Sequence, residues 1–149
     1  MKLSPTGALL AGTLRGGSRL DNPDGIRIDS QGNLVLFGQV GSINFPVTNN
    51  AYQPTKGAQD DAVVVKLSPS LDRLLYAPFL GGAGNDAGRA GCVGADTGLI
   101  LAASTSGRDW PIKNAFQNVS KGPGDALVAK FSPVSSSSSS NATGVKSYK

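Results

Sequence analysis

The sequence predicts an all-β fold built from repeated, four-stranded antiparallel units. A Lys-Leu-Ser-Pro motif recurs at a spacing of 64 residues. The 149 residues include 20 glycines and 9 prolines, which is typical of a chain with many turns and short strands. No segment shows a sustained apolar period of 3.6 residues, so long amphipathic helices are not expected.

The repeat is defined by matching residues that keep their order along the chain. Lys2–Pro5 recurs as Lys66–Pro69 and, with one Leu-to-Phe difference, as Lys130–Pro133. Further matches at offsets of 64 or 65 are Gly16 with Gly81, Leu34 with Leu99, Phe45 with Trp110 and Tyr52 with Phe116. An internal period of this length predicts a fold assembled from similar units. The repeat region covers residues 1–133, with repeat 1 at about 2–65 and repeat 2 at about 66–130.

Each unit contains four predicted strands. The first two form a hairpin, the third is a continuous apolar run, and the fourth follows the Ser-Pro turn. The Ala-Val-Val-Val segment in the third strand predicts burial on both faces. The first strand of each unit is predicted at 24–29 and 89–95, the second at 33–40 and 99–105, and the third at 61–67 and 125–131. The fourth strand is predicted at 73–79, and its counterpart is 8–14.

Four antiparallel strands per repeat are the composition of a β-propeller blade. Several segments also resemble the bacterial SBBP β-propeller repeats: the Gly-Gly-x-x-x-Asp run ending at Asp21, the turn at 29–33, the Phe-Pro loop leading to Tyr52, and residues 61–69. The resemblance spans residues 2 to about 133 and implies two propeller blades per chain. It also implies an exported or surface-attached bacterial protein, hence an extracellular or cell-surface location, although Met1 leads into the repeat without a signal peptide.

Two blades are fewer than the roughly four to eight that close a propeller. Residues 8–14 are a lone fourth strand, residues 24–79 form a complete blade, and residues 89–131 lack a fourth strand. We therefore expect residues 8–14 of one copy to pair with residues 125–131 of the next. Such head-to-tail contacts give rings, here of three or four copies, or filaments. The alternative is that the chain is an inert fragment of a larger exported multi-blade protein.

Composition excludes several classes of function. The absence of histidine excludes mechanisms that need a histidine as a base or a histidine as a metal ligand. The single cysteine, Cys92, is expected to be a small core residue. No nucleophile or phosphate-binding motif is present, so we predict that the protein is not an enzyme. The net charge of +4 is scattered and no apolar stretch is long enough to span a membrane, so neither nucleic acid nor a membrane span is expected.

Four aspartates recur at equivalent positions beside glycines: Asp21, Asp86, Asp61 and Asp125. Carboxylates in oxygen-rich turns are calcium ligands, so calcium is a candidate cofactor. The alternative is that each aspartate caps a turn by accepting hydrogen bonds from nearby backbone amides. No other cofactor is expected.

Aromatic residues recur in the long loop of each repeat. Trp110 and Tyr52, with Arg108, Asp109 and Asn114 nearby, are candidates for a lectin-like carbohydrate site repeated in each blade. The alternative is that the recurring rings pack between blades. Overall, the sequence predicts a non-catalytic structural or binding module whose partners are further copies of itself, with carbohydrate or another surface protein as alternatives.

The last residues differ in composition from the repeats. Residues 135–140 are six serines, and residues 134–149 are predicted to be a flexible tail. Asn141-Ala142-Thr143 and Asn118-Val119-Ser120 both fit the N-glycosylation pattern, which matters only in a glycosylating secretory route.

Overall fold

The computed structural model describes residues 1–132, so the predicted tail at 134–149 lies outside the described residues. The described residues contain no helix, and hence no helix that is long and apolar enough to cross a membrane. Their ten strands are β1 (Lys2–Leu3), β2 (Leu9–Ala11), β3 (Asp21–Ile28), β4 (Leu34–Val40), β5 (Asp61–Leu67), β6 (Leu74–Tyr76), β7 (Phe79–Leu80), β8 (Asp86–Val93), β9 (Leu99–Thr105) and β10 (Asp125–Phe131).

The strands form three open, antiparallel sheets. β1 and β2 make a small hairpin, which we call the N-terminal hairpin. Sheet 1 has the order β3-β4-β5-β6, and β7 also pairs with β5. Sheet 2 has the order β8-β9-β10. The predicted all-β class is confirmed.

The two large sheets share one hydrogen-bonding register. Asp21 opposes Val40 in sheet 1, and Asp86 opposes Thr105 in sheet 2, at an offset of 65. Each first strand carries a β-bulge at the same place, between Pro23 and Gly25 and between Gly88 and Ala90. The N-terminal hairpin repeats the β5–β6 pairing in the same way, because Lys2 opposes Ala11 as Lys66 opposes Tyr76. Equivalent residues therefore have equivalent backbone positions.

Several strand boundaries differ from the prediction, and the predicted strand at 8–14 is limited to β2 (Leu9–Ala11). β3 and β8 begin three residues earlier than expected, at Asp21 and Asp86, because the bulge lets the ladder continue past Pro23 and Gly88. The predicted fourth strand at 73–79 is divided into β6 and β7. The division falls at Ala77 and Pro78, and proline has no N–H to offer the ladder.

Sheets 1 and 2 pack face to face, and we call their contact the junction. Its apolar cluster combines side chains of both sheets, including Val35, Phe37 and Val64 from sheet 1 and Leu99 and Leu101 from sheet 2. A second cluster, which includes Val63 and Val65, lies on the opposite, outer face of sheet 1, and Ala11 of β2 packs against it. Burial of such side chains from water is the main stabilising contribution of both clusters.

β8 approaches sheet 1 closely at two glycines. A Cβ atom at Gly91 would overlap the ring of Phe37, and one at Gly88 would lie 2.7 Å from the carbonyl oxygen of Gly38. Glycine is required at Gly91 for space, because the Phe37 ring occupies the volume that a side chain would need.

Burial of the third strands depends on what covers each face. All seven residues of β5 are buried, as predicted for residues 61–67. β10 instead alternates between partly buried and exposed residues, because only its junction face is covered. Cys92 lies on the uncovered outer face of sheet 2 and is exposed, so the prediction that it is a core residue is wrong.

Candidate functional site

A groove runs along the free edge of β10, next to the loop at 106–124. Its volume is about 630 Å³, and its lining includes Tyr52, Trp110, Asn114, Phe116 and Phe131. The structure therefore brings together three of the five predicted ligand-binding residues, namely Tyr52, Trp110 and Asn114. Arg108 lies beside a smaller neighbouring cavity of about 230 Å³, which Trp110 and Asp125 also line.

The ring of Trp110 is a packing element of the junction. Its side chain is 8% exposed and belongs to the apolar cluster with Leu101 and Leu127. The counterpart in repeat 1, Phe45, is also buried and lies 6.2 Å from the ring of Phe79. The burial of Trp110 agrees with packing between the sheets, whereas Phe45 packs in the cluster on the outer face of sheet 1.

The exposed aromatic residues lie at the mouth of the groove. Tyr52 is 59% exposed, and its ring centre lies 6.3 Å from that of Phe131 in an edge-to-face arrangement. Tyr52 thus reaches from the long loop of repeat 1 to the last residue of β10. Its counterpart Phe116 is fully exposed, so two apolar rings remain open to solvent beside the groove.

The other predicted polar residues have different roles. Both carboxylate oxygens of Asp109 accept a hydrogen bond from the backbone N–H of Ala83, at 2.9 Å each. The side-chain oxygen of its counterpart Asn44 accepts from Ser18 N–H at 2.8 Å. Both side chains therefore fix the segment that precedes the first strand of their sheet, and Asp109 does not line the groove. Arg108 is exposed.

In sheet 1 the position equivalent to the groove is filled by the chain itself. The N–H of Phe79 donates to the backbone oxygen of Gln53 at 2.9 Å, and the N–H of Gly81 donates to its side-chain oxygen at 3.2 Å. The amide of Gln53 in turn donates to Asp61 at 3.0 Å. In sheet 2 the counterpart Gln117 donates instead to its own loop, at Val119 O, 2.9 Å away.

The groove is therefore the fourth-strand position of sheet 2, and no strand within residues 1–132 occupies it. The role of Gln53 in holding the fourth strand was not predicted from the sequence. The available signal was the recurrence of Ala-Tyr-Gln at 51–53 as Ala-Phe-Gln at 115–117.

Two of the predicted metal-binding aspartates meet at the junction. Asp61 and Asp86 are both fully buried, and a Cβ atom at Gly81 would lie 2.6 Å from Asp86 Oδ2 and 2.7 Å from Asp61 Cγ. Asp61 accepts hydrogen bonds from Gly57 N–H and the Gln53 amide, and Asp86 accepts one from Gly82 N–H at 2.8 Å. Burial raises the pKa of both carboxyls, and the charge of Asp86 raises the pKa of Asp61 further.

The other two aspartates lie at separate turns. Asp21 accepts from Gly17 N–H and from the Ser42 hydroxyl, both at 2.7 Å, and Asp125 accepts from the Ser120 hydroxyl. Backbone capping thus accounts for contacts of Asp21, Asp61 and Asp86. Within residues 1–132, no group of three or more acidic or cysteine side chains is placed to hold a metal ion. Calcium binding stays a prediction.

The buried pair has a consequence for pH dependence. A carboxyl whose pKa is raised by folding contributes stability below its unfolded pKa of about 4, and that contribution is lost as the pH rises through the folded pKa. We expect the free energy of unfolding to fall as the pH rises above about 4, and to fall less in Asp86→Asn. The control is Asp24→Asn, at an exposed position of β3. Urea denaturation of the original chain, Asp86→Asn and Asp24→Asn from pH 4 upward tests this. Three parallel curves of unfolding free energy against pH would contradict the expectation.

Comparison with protein-family models, curated proteins and solved structures gives no match. Sheet 2 can still be compared with sheet 1 of the same chain, because each position in sheet 2 has a counterpart in sheet 1 whose contacts are seen directly.

Proposed function

We propose that this chain is a non-catalytic structural module of the β-propeller type that associates head to tail through strand complementation. The observation that supports this most strongly is the free edge of β10. The equivalent strand β5 pairs with β4 on one edge and with β6 and β7 on the other, whereas β10 pairs only with β9 among the described residues. An unpaired edge of seven residues is a template for another strand.

The segment that fits this edge lies near the start of the chain. Residues 9–17 correspond to residues 74–82, at an offset of 65. Ala11 packs on the outer face of sheet 1, just as its counterpart Tyr76 packs in the junction cluster. Leu14 is 97% exposed, although its counterpart Phe79 is almost fully buried. The segment therefore lies against the outer face of sheet 1, where the fourth strand of a sheet stacked on that face would lie, and one of its apolar side chains is left unburied.

β1 occupies the place that a neighbouring β10 would take. Lys2 and Leu3 pair with β2 in the way that Lys66 and Leu67 pair with β6. In the associated state, Lys130 and Phe131 of a second copy would replace them. β1 has only two residues and β10 has seven, so the exchange gains backbone hydrogen bonds.

The serine tail lacks the side chains that a fourth strand needs. At an offset of 64, the counterparts of Leu74, Leu75 and Tyr76 are three serines at 138–140. A strand of serines would bury almost no apolar surface against sheet 2. A second copy offers Leu9 and Leu10 at these positions.

The mass in solution tests this proposal. Light scattering over a range of concentrations should give a discrete trimer or tetramer, about 45 or 60 kDa from a chain of 15.1 kDa, or a large species if the contacts do not close. Leu14→Ser should weaken association about tenfold to a hundredfold, because it removes one buried leucine per contact. Leu20→Ser is the control, since Leu20 is exposed outside the complementing segment.

A compact monomer at all concentrations would refute the proposal and would support the interpretation of the chain as an inert fragment of a multi-blade protein. Carbohydrate binding and an extracellular location stay predictions. Tyr52 and Phe116 are accessible to a sugar, but the buried ring of Trp110 does not favour a stacking site there.

A further inference from the structure

The two outer faces of the chain both carry exposed apolar side chains, and these differ in size. On sheet 2 the outer face carries a row of neighbouring side chains on three strands, Ala90, Ala102 and Val128, all of them exposed. On sheet 1 the first strand presents Ile26 and Ile28, which are 51% and 70% exposed. The outer face of sheet 2 therefore has alanines at Ala90 and Ala102, whereas the first strand of sheet 1 presents two isoleucines on its outer face.

The junction within the chain shows how such faces meet. The ring of Phe37 on sheet 1 lies over Gly91 of β8, where there is no space for a side chain. A large residue of one sheet is matched with the smallest residue of the other. Close packing of this kind is expected wherever two sheets form a stable core.

The residues equivalent to Phe37 and Gly91 lie on the two outer faces of the chain. There the small residue replaces the large one, and the large residue replaces the small one. The counterpart of Phe37 is Ala102, since Phe37 opposes Val64 and Ala102 opposes Val128. The counterpart of Gly91 is Ile26, because Gly91 opposes Leu101 as Ile26 opposes Leu36.

We infer that the outer face of sheet 2 is a docking surface for sheet 1 of a second copy, in which Ile26 of that copy fills the space above Ala102. This rests on the proposed function and locates its contact. The combined size of the pair is then similar in both junctions: a phenylalanine with a glycine inside the chain, and an isoleucine with an alanine between copies. Two copies of the same outer face would pair alanine with alanine or isoleucine with isoleucine and would not fit as well.

The charged residue of this face is compatible with burial. Lys130 is paired with Asp96, and the distance from its Nζ to Asp96 Oδ2 is 2.7 Å. Its counterpart Lys66 is paired with Asp29 and is buried in the folded chain. A second copy would thus cover a lysine that already has its partner.

Reciprocal substitutions test the contact. Ala102→Phe should weaken association about tenfold to a hundredfold, because the new ring overlaps Ile26 of the next copy. Ile26→Gly alone should also weaken it. The double variant should associate to within about tenfold of the original chain, because it recreates the Phe–Gly pair, and coupling of this kind is diagnostic of direct contact.

Ala102 is exposed and Ile26 is half exposed in the single chain, so the variants should keep its circular dichroism, and Ile26→Gly should lower the unfolding midpoint by only a few degrees. A second probe of the face is Val128→Asp, which should also weaken association, with Leu20→Asp at an exposed position as its control. If the original chain associates and Ala102→Phe and Val128→Asp associate equally well, this docking surface is wrong and the strand complementation stands. If the original chain is monomeric at every concentration, both are wrong.

Discussion

Replacing Lys66 with methionine should destabilise the folded monomer by about 3 to 5 kcal/mol. The Nζ atom of Lys66 lies 2.9 Å from Asp29 Oδ2, and the two side chains are only 7% and 2% exposed. Methionine keeps much of the apolar stem but leaves the carboxylate of Asp29 buried without its cation. An uncompensated buried charge is among the most destabilising changes that a single substitution can make.

The repeat supplies a matched control. Lys130→Met removes the counterpart lysine, whose pair with Asp96 is 57% and 52% exposed, so the expected loss is about 0 to 1 kcal/mol. Urea denaturation at a concentration where the chain is monomeric compares the two. Equal losses would contradict the expectation, since they would mean that burial of the Lys66 pair does not matter.

The Lys66–Asp29 pair also predicts how the stability difference between the original chain and Lys66→Met changes at acid pH. Burial alone would raise the pKa of Asp29, but hydrogen bonds from Asn33, Lys66 and the backbone of Gln31 lower it to about 2. A lowered carboxyl pKa contributes stability above the unfolded value of about 4, and the contribution is lost as the pH falls through the folded value. The stability difference between the original chain and Lys66→Met should therefore shrink between pH 4 and pH 2.

Phe37→Ala should cost about 3 to 5 kcal/mol of folding stability. Phe37 is 1% exposed, belongs to the junction cluster and covers Gly91 on the facing sheet. Its removal leaves a space that Gly91 cannot fill, because glycine has no side chain to move into it. Thermal unfolding followed by circular dichroism measures the loss as a lower midpoint.

Phe116→Ala is the control, because this ring is fully exposed at the mouth of the groove and its loss should change stability by no more than about 0.5 kcal/mol. Similar losses for the two phenylalanines would contradict the assignment of the junction as the main core.

The sequence predicted strands well where a strand's limits depend on its own residues. The ranges 61–67, 99–105 and 125–131 match β5, β9 and β10, because apolar runs bounded by polar turns are local signals. The starts of β3 and β8 were missed because proline and glycine usually end a strand. A bulge, which depends on the partner strand, keeps both residues within the ladder.

Burial could not be predicted as well as strand order. Cys92 alternates with residues of the junction face, but which face is covered depends on how the sheets stack, and this is not a local property. The recurrence of Asp61 and Asp86 marked them as special, yet their meeting depends on the backbone at Gly81 passing between the strands that carry them. The sequence therefore located candidate residues but did not predict which of them come together.

The fit of Phe37 over Gly91 also limits how far the two repeats can be regarded as duplicates. A chain built from two identical first repeats would place a phenylalanine against an isoleucine, since residue 26 stands where residue 91 does. A chain built from two second repeats would place an alanine against a glycine and leave a void. The repeats share one strand register, but they are not interchangeable, because each has the residue size that the other requires.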